Sequence, residues 1–153
     1  MNDEVEDFGK IIYEINKKSI IDKYAGFVNK LNEINAKKLA VVGSRDFPLM
    51  DRAQLELSHV IENTGIDTIV SGGARGIDTM AEQYAIKNGL KTIIHPAEWD
   101  KYGRSAGYIR NKTIVDDADA ILIFWHKDSK GTKYTLDLSK KSNKPLYLLQ
   151  VVE

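Results

Sequence analysis

From Lys38 onward, short apolar runs that stop at turn residues alternate with longer stretches whose apolar positions recur at helical spacing. This alternation constrains the fold more than any other feature of the chain. A short apolar run bounded by Gly, Ser or Asp reads as a strand buried on both faces. An amphipathic stretch between two such runs supplies the crossover that a parallel sheet needs. Five strands are expected, at residues 39–43, 68–71, 91–95, 120–125 and 146–151, with crossover helices at 51–63, 76–88, 106–116 and 132–142. In the second of these helices Ile77, Met80, Ala81, Tyr84 and Ala85 share one face. The run from Ala120 to Trp125 is apolar throughout, as a central strand would be. The expected fold class is therefore α/β, a Rossmann-like three-layer fold with a mostly parallel sheet of about five strands and helices on both faces. Ligands of such sheets collect beyond the carboxyl ends of the strands, so functional residues should lie just after each strand.

Residues 1–37 read differently, as an N-terminal helical extension to a domain spanning 38–153. Phe8, Ile11, Ile12 and Ile15, then Ile20, Ile21, Tyr24, Val28, Leu31 and Ile34, recur at spacings of three, four and seven, as on one helical face. Gly26 and the β-branched pair Ile20-Ile21 count against a single uninterrupted helix. Such a face packs on its own domain or joins subunits, and a homo-oligomer is expected. With 153 residues, 42% of them hydrophobic, one ordinary core can be filled. Twenty-two basic residues balance twenty-two acidic ones, so the overall field of a dedicated duplex-DNA binder is missing. There is no cysteine, and His59, His95 and His126 are scattered; no metal site is expected and no cofactor is required. An acidic start and the lack of any apolar run near the roughly 20 residues of a membrane span suggest a soluble, cytoplasmic protein with no membrane partner.

Four segments carry candidate chemistry. After the first strand, Gly43-Ser44-Arg45-Asp46 offers a close backbone approach, a hydroxyl and a guanidinium; it reads equally as an anion contact or as a plain loop with Asp46 or Asp51 capping a helix. After the second, Ser71-Gly72-Gly73-Ala74-Arg75-Gly76 opens directly onto a helix, where backbone N–H groups and the positive helix end can converge on a phosphate. Its glycine order fits neither the Walker loop nor the dinucleotide fingerprint, so the strand–turn–helix context carries the reading. Asp78 could bond ribose hydroxyls or cap the helix. After the third strand, residues 95–111 bring Arg104, Arg110 and Asn111 together with Trp99, Tyr102 and Tyr108, a combination suited to a stacked base and forked phosphates; Trp99 and Tyr102 could equally pack as a lid or an interface. After the fourth, Ser129, Gly131 and Thr132 open the last helix as a second anion-suited turn, or as its cap.

In this order the motifs Gly43-Ser44-Arg45, Ser71 to Asp78 with Ala81, Tyr102-Gly103-Arg104-Ser105-Ala106-Gly107 with Arg110-Asn111, and Ser129-Lys130-Gly131-Thr132 resemble the SLOG superfamily. The similarity covers roughly residues 38–150, and the nearest branch resembles the YspA/cpYpsA-related (DUF2493-type) group. That resemblance implies a Rossmann-like domain binding nucleotides or nucleotide-derived ligands. The same superfamily includes the DprA/Smf DNA-processing proteins, which share Ala-Arg-Gly-Ile-Asp, and the Lonely Guy phosphoribohydrolases. In the latter a glutamate works beside an arginine. Arg110 matches the arginine, but Thr135 stands where the glutamate would be, and a hydroxyl cannot do a carboxylate's work. Asp137, two positions on, lies on the wrong helical face.

Three functions are thus in view. The first is a sensor or sequestering module that binds a small-molecule nucleotide ligand through Gly43, Ser44, Arg45, Ser71, Gly72, Gly73, Ala74, Arg75, Gly76, Asp78, Trp99, Tyr102, Arg104, Arg110, Asn111, Ser129, Gly131 and Thr132. The second is an N-glycosidic or phosphoribosyl hydrolase using Arg110 with Glu82, or with Asp78 or Glu98 in its place. The third is a DNA-binding module; a neutral chain of this length makes nucleic acid the less favoured partner.

Overall fold

The computed structural model describes the backbone of residues 10–12, 17–127 and 129–151 and the side chains of 25–127 and 129–151. The elements run β1 (Lys10–Ile12), α1 (Lys17–Glu33), β2 (Lys38–Gly43), α2 (Met50–Glu62), β3 (Thr68–Ser71), α3 (Ile77–Lys87), β4 (Lys91–Ile94), α4 (Trp99–Tyr102), a 3-10 turn (Gly103–Ser105), α5 (Ala106–Asp117), β5 (Ala120–His126), α6 (Lys130–Ser142) and β6 (Leu146–Val151). All neighbouring strands are parallel, in the order β1-β6-β5-β2-β3-β4. The Rossmann-like α/β architecture expected from the alternation of runs is what the chain adopts.

Period-two side-chain direction sorts each strand onto two cores. On one face Leu39, Val41, Ile69, Leu122, Phe124 and Leu149 pack with Leu57 of α2 and Ile77 of α3. On the other, Ala40, Val42, Val70, Ile121, Ile123 and Leu148 pack with Ile114 of α5 and Leu136 of α6. β5 is buried along its length except at His126, consistent with its place between β2 and β6. The exposed pattern of β4 follows from its edge position.

The N-terminal reading changes in one respect. Ile11 and Ile12, expected on a helical face, lie in β1, a sixth strand whose Lys10 to Ile12 pair with Leu148 to Gln150. Phe8 and Ile15 lie outside the described residues. An open sheet edge at β6 accepts any short β-branched run that reaches it, and helical spacing over so few residues cannot compete with a ladder of backbone hydrogen bonds. The second half of the pattern is helical as expected. α1 sends Phe27, Val28 and Leu31 into the core that β2 and β6 share, with Phe27 and Tyr147 rings 5.5 Å apart. Among the described residues no helix is long and apolar enough to cross a membrane.

One buried carboxyl gives this core a pH dependence. Glu56 of α2 is 2% exposed; Arg52 Nε donates to its Oε2 at 2.6 Å, while Oε1 has no hydrogen-bond partner among the described residues. Burial pushes its pKa up to about 8. Its stabilising contribution is complete below the ordinary carboxyl range and is lost as pH rises through 8, because the unfolded chain gives up a proton that the fold retains. Glu56→Gln keeps the shape without the charge. It should gain on the parent by about 2 kcal/mol between roughly pH 5 and pH 9, the Arg52 contact limiting the effect. Urea denaturation of both proteins at the two pH values measures this, and parallel stability curves would refute it.

Candidate functional site

β2 leads to β3 and β4 on one side, while β5 and β6 return on the other, so the strand order reverses between β2 and β5. The loops after those two strands diverge at this point and leave a crevice, the place where open α/β sheets hold ligands. A cleft of about 440 Å³ opens here. Val42 to Asp46 reach it from the end of β2, Ala74 from the β3 turn, Asp78 from α3, Trp99 from α4, Arg104 from the 3-10 turn, Gly107, Tyr108, Arg110 and Asn111 from α5, and Ser129 with Gly131, Thr132 and Thr135 from the start of α6.

The candidates thus separate. The cleft gathers Gly43, Ser44, Arg45, Ala74, Asp78, Trp99, Arg104, Arg110, Asn111, Ser129, Gly131 and Thr132. Ser71, Gly72, Gly73, Arg75, Gly76, Tyr102 and Glu82 do not line it. Tyr102 faces a neighbouring recess of about 260 Å³ with His95, Glu98 and Arg110, so Arg110 divides the two hollows. Val42, Asp46, Gly107, Tyr108 and Thr135 are lining residues outside the set of contacts expected from the sequence. One signal was available for two of them: Arg104, Gly107, Tyr108 and Asn111 stand at i, i+3, i+4 and i+7, one helical stripe.

Three amides of the glycine-rich turn have acceptors within the protein. Gly72 N–H and Ala74 N–H both donate to Asp78 Oδ2 at 3.2 Å, and Gly73 N–H reaches Ser71 Oγ at 3.4 Å. A side-chain carboxylate from the first turn of α3 thus takes two of the amide donors of this turn. Ser71 is fully buried and donates to Glu82 Oε2 at 2.6 Å, so Glu82 braces the turn from behind. The glycines serve packing within the protein. At Gly72 an added Cβ would sit 2.5 Å from Arg110 Nη1 and 2.9 Å from its Cδ. At Gly76, where φ is +84°, it would sit 2.5 Å from Arg45 O, so the β2 and β3 loops are in backbone contact.

Asp78 is 5% exposed. Burial pushes its pKa up to about 6, against the Ala74 hydrogen bond, the Arg110 charge and the Gly72 hydrogen bond, all of which favour the ionised form; Glu82 adds to the rise. Arg110 donates from Nη1 to Gly72 O at 2.6 Å and from Nε to Asn111 Oδ1 at 2.8 Å. Burial lowers its pKa from the ordinary value, Asp78 opposing and Arg45 reinforcing that fall. The guanidinium is therefore fixed on two sides, and its remaining N–H groups are available to the cleft.

Hydroxyls line the other wall. Ser44 Oγ accepts from His126 N–H at 2.9 Å and lies 3.4 Å from Thr132 Oγ1, which is 3.2 Å from Ser129 Oγ. The Ser129 side chain bonds to the Thr132 hydroxyl and caps no amide of α6, so the first-turn amides of this 13-residue helix are not taken by their own N-cap. Asp46 Oδ1 lies 3.3 Å from His126 Nδ1 and ties the β2 and β5 loops together. Thr135 is 2% exposed and donates to Gly131 O at 3.1 Å, occupied as a helical hydroxyl is. Trp99 and Tyr108, 53% and 43% exposed, present their rings to solvent at the rim, and the Tyr108 ring meets Tyr134 edge-on at 4.8 Å.

Comparison with known proteins bears on this geometry. The chain is 33% identical over 84 residues to the Gene 61 protein of Mycobacterium phage D29, a match covering 51% of this chain and 67% of that protein. Its fold resembles DNA processing protein A (DprA) from Streptococcus pneumoniae, with a TM-score of 0.58 and 23% identity over 73% of this chain. The chain spans 50% of the length of that protein. DNA processing protein A from Helicobacter pylori, whose structure describes a single-stranded DNA binding mode, matches with a TM-score of 0.58 and 20% identity over 80% of this chain and 67% of that one. At these identities the structural likeness establishes the fold. The family is established by sequence: residues 4–99, more than half of the chain, match the model of DNA recombination-mediator protein A, and the chain belongs to that family.

Proposed function

We propose that the chain binds single-stranded DNA, with the cleft at the β2–β5 divergence as its contact surface. The observation that carries this reading is the convergence of Arg45, Arg104 and Arg110 with the exposed rings of Trp99 and Tyr108 at one point of a fold shared with DNA-processing proteins. Arginines neutralise backbone phosphates, and exposed rings stack on unpaired bases regardless of sequence. Three arginines line the cleft against two aspartates, a local positive excess that a chain of net charge zero can still present to a polyanion.

Fluorescence anisotropy of a labelled oligothymidylate, titrated at several salt concentrations, tests it. Binding should weaken steeply with salt and exceed binding to a duplex of equal length. Arg104→Ala, a change at an exposed position, should weaken it about tenfold and reduce the salt slope by about one. No anisotropy change at low salt would end the proposal.

A second reading keeps the same residues. A volume of about 440 Å³ is ample for one nucleotide, which favours a nucleotide-ligand module of the YspA-like kind. A hydrolase has less support, because Glu82 is engaged behind the turn and Thr135 within its helix. Incubation with nucleoside monophosphates separates these: binding without released base supports the module, and steady release of base supports the hydrolase.

A further inference from the structure

We propose that the cleft selects an internal phosphodiester over a terminal phosphomonoester, with Asp78 as the specificity-determining residue. This rests on the single-stranded DNA reading and deepens it.

Three observations converge. The Gly72 and Ala74 amides both point at Asp78 Oδ2, so the anion position of the turn already holds a negative charge belonging to the protein. Among the described residues the charged side chains lining the cleft are Arg45, Arg104 and Arg110 against Asp46 and Asp78, three positive and two negative, which leaves one positive charge. The donors on the opposite wall, around Ser44, Ser129 and Thr132, are neutral hydroxyls and helix amides that add no full charge. A phosphodiester brings one negative charge and balances the cleft. A phosphomonoester brings nearly two at neutral pH and leaves an excess beside a carboxylate that is 5% exposed and held in place by two backbone donors.

Asp78 cannot escape that repulsion by turning to solvent. Burial already raises its pKa to about 6, so a second negative charge nearby would force a proton onto the carboxyl or the phosphate. The outcome is discrimination by charge count, with the sugar and base contacts unchanged.

The test is competition. Thymidine 5′-monophosphate and its methyl ester, which differ by one methyl group and one ionisation, are used to displace a labelled oligothymidylate from the full chain at slightly alkaline pH. The methyl ester should displace it at an about tenfold lower concentration. In Asp78→Asn, which preserves the shape and removes the charge, the difference should fall below about threefold because the monophosphate improves. The wild-type comparison stands even if that variant folds poorly. Equal competition by the two nucleotides, a preference for the monophosphate, or no displacement by either would overturn the proposal and leave oligonucleotide binding intact. A wild-type protein that binds no oligonucleotide overturns the underlying reading as well.

Discussion

Replacing Arg110 with alanine is expected to weaken single-stranded DNA binding about a hundredfold, the loss of one or two charge-assisted hydrogen bonds from a site that cannot rearrange to replace them. Arg110 is anchored to Gly72 O and Asn111 Oδ1, so little side-chain entropy remains to be lost when a phosphate binds. It also stands between the main cleft and the recess beside Tyr102, where its absence would merge two hollows. The substitution removes one of three positive charges that line the cleft among the described residues, and takes from Asp78 the cation that holds its pKa down, so the buried carboxyl is charged at greater cost or takes up a proton. Stability should fall by about 1–2 kcal/mol for that second reason. Arg110→Lys retains the charge but not the planar fork, and should recover stability more fully than affinity. Anisotropy titrations and urea melts of the two variants measure both effects. An alanine variant that binds like the parent would remove Arg110 from the site.

Gly76→Ala is expected to cost about 3 kcal/mol or more, a large share of what a domain of this size commands. Two independent penalties combine. The backbone at Gly76 has φ +84° and ψ −123°, a region that an L side chain enters only with strain. The new methyl group would also meet Arg45 O at 2.5 Å and Arg45 C and Cα at 3.0 Å, all backbone atoms that a rotamer change cannot move. Relief requires the β2 loop to retreat from the β3 turn, which would carry Arg45 out of the cleft. Binding should therefore weaken even where the variant remains folded. Denaturant midpoints with unchanged slopes would locate the effect in stability. A cost below about 1 kcal/mol would show that the two loops are not locked together.

The six-strand sheet and the cleft were legible to different degrees, and the particulars show why. β2 and β5 stand out because Leu39 to Val42 and Ala120 to Trp125 are continuous apolar runs, and β3 because Ile69-Val70 is followed at once by the turn residues Ser71-Gly72-Gly73. β1 did not stand out: three residues carry no period, and only the open edge of β6 makes them a strand. Among site residues, Arg45, Arg104 and Arg110 could be selected because each follows a strand in a loop or at the next helix start. Asp46 looked like a cap, and its contact with His126 joins residues 80 positions apart, beyond the reach of any local pattern.

The sequence by itself determined the class of fold, the carboxyl-end location of the site and the families of residue that meet there. These depend on periodicity and on turn chemistry, which are local properties. Only the tertiary structure decided how the glycine-rich turn is used. Ser71 to Gly76 offers the same amides to a phosphate or to a carboxylate, and the choice falls to Asp78 because α3 leaves the turn at an angle that folds its first-turn side chain back onto Gly72 and Ala74. That angle is set by Ile77 packing into the sheet and by Gly76 resting on Arg45, contacts between elements that no reading along the chain contains.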